Sequence, residues 1–263
     1  AYLEAVQALP VVRQLNEGTL PLDWVDVQLI SDDPAKALGK AEPSRLLITR
    51  LGESLGSPRH SLDLVSGYFV PTEATVRTLS DLSRRGVKVT AVTNSYEATD
   101  VPVVHAGYAG DRKPLLKAGV SLWEIKATAG PPRKRLGTGS GSNGIGSTGG
   151  VPQGSGQALH AKTFMADGDR VFIGSFNLDP RSARLNTELG FVIRSPALAR
   201  RMEIELRRKL PETAYEVRLQ SGELRWIERR GAQRRVHGVE PGTSRFSRAA
   251  TRLLSQLPIE WLL

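Results

Sequence analysis

A strand–helix–strand unit between residues 61 and 94 is the feature that most constrains the fold of this chain. Residues 61–70 form a β-like run, and residues 87–94 are rich in β-branched side chains. Between these runs, apolar residues line one face of a helix that ends at Gly86. A unit of this kind joins two parallel strands through a covering helix. The sequence therefore predicts an α/β fold with a central mixed, largely parallel sheet between helices.

The same alternation of helix and strand continues along most of the chain. Further helices are predicted at residues 44–56, 112–118, 195–210 and 245–254, and further strands at residues 120–125, 158–166, 170–175 and 189–193. The turn residues Asp167, Gly168 and Asp169 join two of these strands. A chain of 263 residues with this pattern is long enough to bury a sizeable core.

Three parts of the chain are predicted. Residues 1–43 form a connector or lead-in, because four prolines interrupt any long element there. Residues 44–212 form an α/β half-domain that carries the site, and residues 213–263 form a basic C-terminal extension packed on the same domain. Within the half-domain, the Gly- and Ser-rich residues 129–157 are predicted to be a flexible loop. That loop is either a lid over a site or a solvated insertion.

The charge of the chain favours polyanionic partners. The net charge is +9, and the residues from Arg200 onward carry 14 Lys and Arg against 8 Asp and Glu. Such a surface attracts nucleic acid or anionic lipid head groups, and charge alone does not choose between them. The low aromatic content of 6% disfavours a surface on which bases stack.

Several other classes of protein are excluded or disfavoured by composition. The chain has no cysteine, which excludes disulfides and thiolate metal sites. No run approaches the roughly 18 apolar residues that a membrane-spanning helix needs. No signal peptide is visible, and the first residue is Ala, so we expect that an upstream part is missing or was removed.

The segment from His160 to Glu188 carries side chains suited to phosphate-ester chemistry. Because His160 and Lys162 are two residues apart on a predicted strand, an imidazole and an ammonium would meet one phosphate group. A phosphodiester can be cleaved by an attacking group, a proton donor for the leaving alkoxide and positive charge on the non-bridging oxygens. Glu188 could accept a hydrogen bond from the His160 ring and fix its tautomer.

The remaining candidates lie between these residues. Gly174 allows a ligand to approach the backbone closely, and Ser175 and Asn177 add neutral donors for phosphate oxygens. Asp167 lies in a turn, and we assign it a structural role within the site. His105 is either a structural imidazole or a substrate-side residue.

These residues together resemble a known signature. The pattern H-x-K-x4-D, formed by His160, Lys162 and Asp167, is followed by G-S-x-N and N-x-E, as in the phospholipase D superfamily. The second and third patterns contain Gly174, Ser175, Asn177, Asn186 and Glu188. Further stretches, including VSGYFVPTE, VTNSYEATD and the closing LPIEWLL, are similar to the C-terminal half of bacterial cardiolipin synthases, most closely those of the C-type.

The resemblance implies a fold and a mechanism. It implies a phospholipase D-like α-β-α sandwich in which two such motifs meet, one histidine forming a phosphohistidine and the other protonating the leaving alcohol. This chain has one motif, since His60, His105 and His237 lack a lysine two residues on. The second motif lies either in a missing N-terminal half or in a second copy of the chain. By the same resemblance, His160 is the proton donor.

The resulting expectation is a metal-independent phosphatidyltransferase of the cardiolipin synthase type that needs no cofactor. Its catalytic residues are expected to be His160, Lys162, Asp167, Asn177 and Glu188, and its substrate-binding residues Gly174 and Ser175. The expected partners are glycerophospholipids, namely phosphatidylglycerol and phosphatidylethanolamine, and an anionic membrane surface at the cytoplasmic face of the bacterial inner membrane. The alternatives are a phosphodiesterase or nuclease with the same core and a half-module without catalytic activity.

Overall fold

A single mixed sheet organises the computed structural model, which describes residues 2–127 and 158–255. The strands are β1 (Asp26–Ser31), β2 (Ser61–Ser66), β3 (Lys88–Asn94), β4 (Ser121–Ile125), β5 (Lys162–Ala166), β6 (Arg170–Gly174), β7 (Leu189–Arg194), β8 (Ala214–Gln220), β9 (Glu223–Arg230) and β10 (Gln233–His237). Their order across the sheet is β1-β7-β6-β5-β2-β3-β4-β8-β9-β10. The loop predicted at residues 129–157 lies outside the described residues, as does the closing stretch from residue 256.

Helices connect these strands and cover both faces of the sheet. They are α1 (Tyr2–Gln7), α2 (Pro10–Asn16), α3 (Leu47–Leu55), α4 (Glu73–Arg84), α5 (Pro102–Ala109), α6 (Arg112–Lys117), α7 (Pro180–Arg184), α8 (Pro196–Thr213) and α9 (Arg245–Leu254). Two short 3-10 helices span Pro34–Leu38 and Pro43–Arg45. Among the described residues, no helix combines the length and the apolar character needed to cross a bilayer.

The predicted α/β class and mixed sheet are confirmed, but parallel pairing is less extensive than expected. Only the pairs β2–β3 and β3–β4 are parallel, and every other strand pairing in the described sheet is antiparallel. Short connections explain the difference, because a tight turn can join only antiparallel neighbours. Such turns follow β5 at residues 167–169, β8 at Ser221 and Gly222, and β9 at Gly231.

Amphipathic helices bury the sheet in two layers. On one face, α3 and α4 pack Leu51, Leu55, Leu79 and Leu82 into the larger core cluster. The helix α4 begins after Thr72, whose hydroxyl accepts a hydrogen bond from the amide of Thr75 at 3.2 Å. The predicted helix from residue 44 begins only at Leu47, because Pro43–Arg45 form a 3-10 turn.

The long helix α8 covers the opposite face. Ser195 caps this helix by accepting a hydrogen bond from the amide of Leu198 at 3.2 Å. Its residues Ala199 and Leu210 join a second core cluster that includes Val65, Val92, Met165 and Val171. The two helical layers and the sheet between them match the predicted α-β-α sandwich.

Strands from the two flanks of the chain extend the sheet at its two ends. In the predicted lead-in, β1 pairs with β7, and Ile30 is its one fully buried residue. At the other end, β8, β9 and β10 continue the sheet beyond β4. The division of the chain into three parts at residues 43 and 212 stays a prediction. The single hydrogen-bonded sheet includes strands from all three of these parts.

A buried ionic cluster fastens the C-terminal extension to the rest of the fold. The guanidinium of Arg112 donates to Glu124 at 2.8 Å and to Glu240, and it lies 4.8 Å from the centre of the Tyr108 ring. The His105 ring nitrogen Nε2 lies 2.6 Å from the Glu240 carboxylate. These contacts assign His105 the structural role that was one of its two predicted alternatives.

The carboxylate of Glu240 has a depressed pKa in this cluster. Burial raises its pKa, but the charges of Arg112 and His105 and the hydrogen bonds from them outweigh burial and hold the pKa at about 2. Because the folded pKa is depressed, the stabilisation is complete above the unfolded pKa and is lost as the pH falls toward 2.

We predict that Glu240→Gln lowers the free energy of unfolding at pH 7 by about 3 kcal/mol. The difference from the wild type should shrink as the pH falls from 4.5 toward 2, because the wild-type carboxylate becomes neutral as well. Urea unfolding at pH 7 and at pH 3 measures both values. The exposed Glu223 of β9 provides the control, since Glu223→Gln should change stability by less than about 0.5 kcal/mol. A gap that is equal at both pH values would contradict the prediction.

Candidate active site

The predicted site residues come together at one edge of the sheet, with the exception of Asp167, which follows the end of β5 at the opposite edge and is therefore not placed beside His160. The strands β2 and β3 end at this edge, while β5 and β7 begin there, since Ser66 pairs with Lys162 and Gly174 with Gly190. The turn that leaves β6 at Ser175 lies at the same edge. The antiparallel pairing of β5, β6 and β7 thus brings together residues that are separated by up to 28 positions in the sequence.

The histidine and the lysine lie side by side at the start of β5. The strand begins at Lys162, so His160 is exposed two residues before it and not on the strand as predicted. The Lys162 ammonium donates to the main-chain carbonyl of His160 at 3.0 Å. Burial lowers the pKa of Lys162 below its ordinary value, and the nearby carboxylates of Glu188 and Asp179 oppose this shift only in part.

A buried asparagine that the sequence analysis did not identify holds the His160 segment against the sheet. The side chain of Asn94, at the end of β3, donates to the carbonyls of Gly67 at 3.0 Å and Leu159 at 3.1 Å. Its oxygen accepts from the amide of Leu159 at 2.8 Å. A Cβ atom at residue 67 would lie 2.1 Å from the Leu159 carbonyl oxygen, so this approach requires glycine. Both residues lie in predicted β-like runs and in stretches that resemble the family, but neither was predicted to support the site.

Glu188 contacts serines and not the histidine. Its carboxylate accepts hydrogen bonds from the hydroxyl of Ser175 and from that of Ser182 at 3.0 Å. No hydrogen bond joins Glu188 to the His160 ring in the part of the chain that the structure describes. The predicted contact is therefore replaced by contacts to Ser175 and to Ser182 of α7, which lies between β6 and β7.

A buried ion pair from the lead-in fixes the backbone of Glu188. The Lys36 ammonium lies 2.6 Å from the Asp32 carboxylate and donates to the carbonyl of Ser182 at 2.7 Å. Asp32 also accepts from the amides of Glu188 at 2.9 Å and Leu47 at 2.7 Å. Both charged side chains are at most 2% exposed. No sequence pattern marks this pair, because the prolines around it are typical of a connector.

Asp167 has the structural contacts expected of it. It occupies a left-handed conformation with φ of 53°, and its carboxylate accepts from the amides of Arg59, His60 and Ser61 at 2.7–3.1 Å. Arg170 forms an ion pair with it at 2.7 Å. Burial raises the pKa of Asp167, but these amides and Arg170 outweigh burial and lower it overall. The residue thus fastens the turn after β5 to the segment that enters β2.

The last motif residues differ in what surrounds them. At Gly174, a Cβ atom would lie 2.4 Å from the Leu189 carbonyl oxygen and 2.7 Å from the Phe172 ring, so packing between strands requires glycine here. A ligand contact of Gly174 stays a prediction. Asn177 has a buried side-chain oxygen without a hydrogen-bond partner among the described residues. Asn186 is exposed, and its amide donates to the carbonyl of Arg181 at 2.9 Å.

The groups at this edge suit an anionic ligand better than a metal ion. The Lys162 ammonium supplies positive charge and hydrogen-bond donors next to the exposed His160, while the carboxylate of Glu188 accepts hydrogen bonds from two hydroxyls. Within residues 2–127 and 158–255, no cluster of three or more His, Asp or Glu residues could hold a metal ion. The geometry thus favours a ligand such as a phosphate ester.

Comparison with known proteins identifies the family. Residues 51–210 match the model of the family described as cardiolipin synthase, phospholipase D-like domain. The chain belongs to this family.

Individual relatives agree with this assignment. All 263 residues of this chain align with cardiolipin synthase C of Escherichia coli at 46% identity. The aligned part covers 53% of the Escherichia coli protein. Cardiolipin synthase A of Proteus mirabilis aligns with 64% of this chain at 26% identity, and the aligned part covers 28% of the Proteus mirabilis protein. The chain thus spans about half the length of the first of these curated relatives, and less of the second.

A solved structure supports the fold. The crystal structure of a phosphatidylserine synthase from Haemophilus influenzae matches 93% of this chain and 48% of its own, with a TM-score of 0.54 and 13% identity. At this identity the likeness shows the fold alone. Together with the family match, it confirms the predicted phospholipase D-like architecture.

We predict that Lys36→Met lowers the free energy of unfolding by about 3–5 kcal/mol, because it leaves the buried carboxylate of Asp32 without its cation. Chemical denaturation at neutral pH measures the change. Lys40 lies four residues further on and is exposed, so Lys40→Met is the matched control and should be nearly neutral. Equal stability of the two variants would show that the Asp32–Lys36 pair does not hold this region together.

Proposed function

We propose that the protein is a phosphatidyltransferase of the cardiolipin synthase type. It would move a phosphatidyl group from one glycerophospholipid to the headgroup alcohol of another. The observation that carries this proposal is the position of Lys162 at one sheet edge, where its ammonium donates to the main-chain carbonyl of the exposed His160. Membership of the cardiolipin synthase family supports lipids as the substrates.

The proposed reaction has two displacement steps at phosphorus. A histidine of a second motif attacks the phosphodiester, a P–N bond forms, and the P–O bond to the leaving alcohol breaks. His160 gives its proton to that alkoxide. The headgroup alcohol of a second lipid then attacks phosphorus, His160 takes its proton, and the P–N bond breaks. The step needs no metal ion or cofactor in this proposal, because ammonium and amide groups supply the stabilising charge.

The other site residues have supporting roles in this scheme. Lys162 stabilises the charge on the non-bridging phosphoryl oxygens, and its position next to His160 supports that role. Asn177 would donate a hydrogen bond from its side-chain NH2 group to a phosphoryl oxygen. Glu188 fixes the hydroxyl of Ser175 and, through its charge, favours the protonated form of Lys162.

A second phospholipase D-like half completes the site in this proposal. It would be either another half of the same polypeptide or a second copy of the chain. The relative from Escherichia coli is almost twice as long as this chain, which supports the first alternative. Exposed apolar side chains that share one face of β1, β6 and β7 also support a covering partner. They are Val27, Leu29, Ile173, Leu189 and Phe191.

The proposed substrates are phosphatidylglycerol, alone or with phosphatidylethanolamine, at an anionic membrane surface. A net charge of +9 favours such a surface, since each well-placed cation contributes roughly 1 kcal/mol. We propose peripheral attachment at the cytoplasmic face of the bacterial inner membrane. Nucleic acid is the less favoured substrate, because few aromatic residues are present to stack on bases.

An assay of the full-length gene product with phosphatidylglycerol, alone and mixed with phosphatidylethanolamine, tests the proposal. We predict diphosphatidyl product that resists EDTA, and a loss of about 10²–10⁴-fold in turnover for His160→Ala through loss of proton transfer. His60 is also an exposed histidine, and His60→Ala should retain turnover. Product from neither lipid mixture, or full activity of His160→Ala, would refute the proposal. Cleavage of DNA in place of lipid would favour the nuclease alternative.

A further inference from the structure

Four arginines share one face of the last three strands. The antiparallel register places Arg218 of β8 opposite Arg225 of β9, and Arg229 of β9 opposite Arg234 of β10. Residues two apart on a strand point to the same side of a sheet, and residues opposite each other across a pair do so as well. All four side chains therefore lie on one surface, which we call the arginine face. It is the same side of the sheet that α8 covers around Ile227.

The charges of the arginine face are incompletely balanced within the fold. Like charges directly opposite each other on neighbouring strands are destabilising. Glu216 compensates two of the four charges, because its carboxylate accepts a hydrogen bond from Arg218 at 2.6 Å and forms an ion pair with Arg229 at 2.9 Å. Among the described residues, Arg225 and Arg234 have no carboxylate partner within ion-pair distance. The repeated pairing of like charges is understandable if an anionic partner neutralises this face.

The arginine face reaches the edge of the sheet where the candidate active site lies. The register pairs Asn94 with Ile125 across β3 and β4, and Ile125 with Ala214 across β4 and β8. The end of β9 lies at the same edge, where the ammonium of Lys126 donates to the carbonyls of Glu212 and Arg229. The Arg229–Arg234 pair therefore lies at the edge that also carries Lys162.

We propose that the arginine face binds an anionic phospholipid bilayer and thereby brings the active-site edge to the lipid surface. The choice of lipid rests on the proposed function, and it has support from the face itself. None of the residues that β8, β9 and β10 place on this side is aromatic, and Trp226 of β9 is buried on the opposite side. A surface without stacking side chains suits head groups better than bases.

Vesicle sedimentation with the full chain tests this surface. The probe is vesicles of phosphatidylcholine mixed with phosphatidylglycerol, with pure phosphatidylcholine vesicles as the uncharged reference. We expect Arg225→Gln combined with Arg234→Gln to weaken binding to the mixed vesicles about 30-fold, because two cations near the lipid surface are lost. Neither substitution breaks an ion pair, so the thermal unfolding midpoint should stay within a few degrees of the wild type.

Two further variants locate the effect. Arg77→Gln combined with Arg84→Gln removes the same charge from exposed positions on α4, which covers the other face of the sheet. This control should bind vesicles like the wild type. Arg234→Glu lowers the net charge by two, as the double arginine variant does, but through a single exposed residue. It should also weaken vesicle binding about 30-fold.

The possible results separate the alternatives. Equal loss in the α4 control would overturn the proposal, because attraction would then depend on net charge and not on this face. Unchanged vesicle binding of the arginine variants, with weakened binding to duplex DNA, would assign the face to nucleic acid instead. Vesicle binding is measured without turnover, so failure of the proposed transfer reaction would be seen separately in the lipid assay.

Discussion

The buried carboxylate of Asp32 is the group on which the geometry of the site depends most. It binds the ammonium of Lys36 and the amides of Leu47 and Glu188, so one side chain joins the lead-in, the start of α3 and the start of β7. A buried charge is tolerated only when its partners are complete, and here the neighbouring groups complete them. Glu188 is thereby fixed where its carboxylate reaches Ser175 and Ser182, on the two sides of the loop from β6 to β7.

A second and separate arrangement fixes the other side of the site. The Asn94 side chain and the close approach at Gly67 hold Leu159 against the ends of β2 and β3, and His160 follows directly. The histidine itself stays exposed, whereas the groups that position its segment are buried. A rigid, buried support beneath exposed reactive groups is the arrangement expected of a site that acts on a ligand from outside.

The sequence predicted the elements better than the contacts between them. The strand–helix–strand unit of β2, α4 and β3 was found because its apolar periodicity is strong, and its bounds agree closely with the structure. The strand β1 was missed, because prolines flank it and only Ile30 is fully buried, so no alternating pattern marks it. The predicted contact between Glu188 and the His160 ring was also wrong. Sequence spacing does not show that the reversal of the chain through α7 brings Ser182 next to Glu188. No local pattern marks Asn94 or Lys36 as support for the site, because the site segments that they contact, at Leu159 and Ser182, are 65 and 146 residues away.

If His160 and Lys162 bind one phosphoryl group together, nuclear magnetic resonance of the histidine rings during addition of inorganic phosphate should detect it. We expect the His160 ring signals to shift in a saturable way, the signals of the exposed His60 to stay unchanged, and Lys162→Met to abolish the shift. Signals of His160 that do not respond, or that respond equally in the Lys162→Met variant, would contradict the claim that these two groups form a phosphate site.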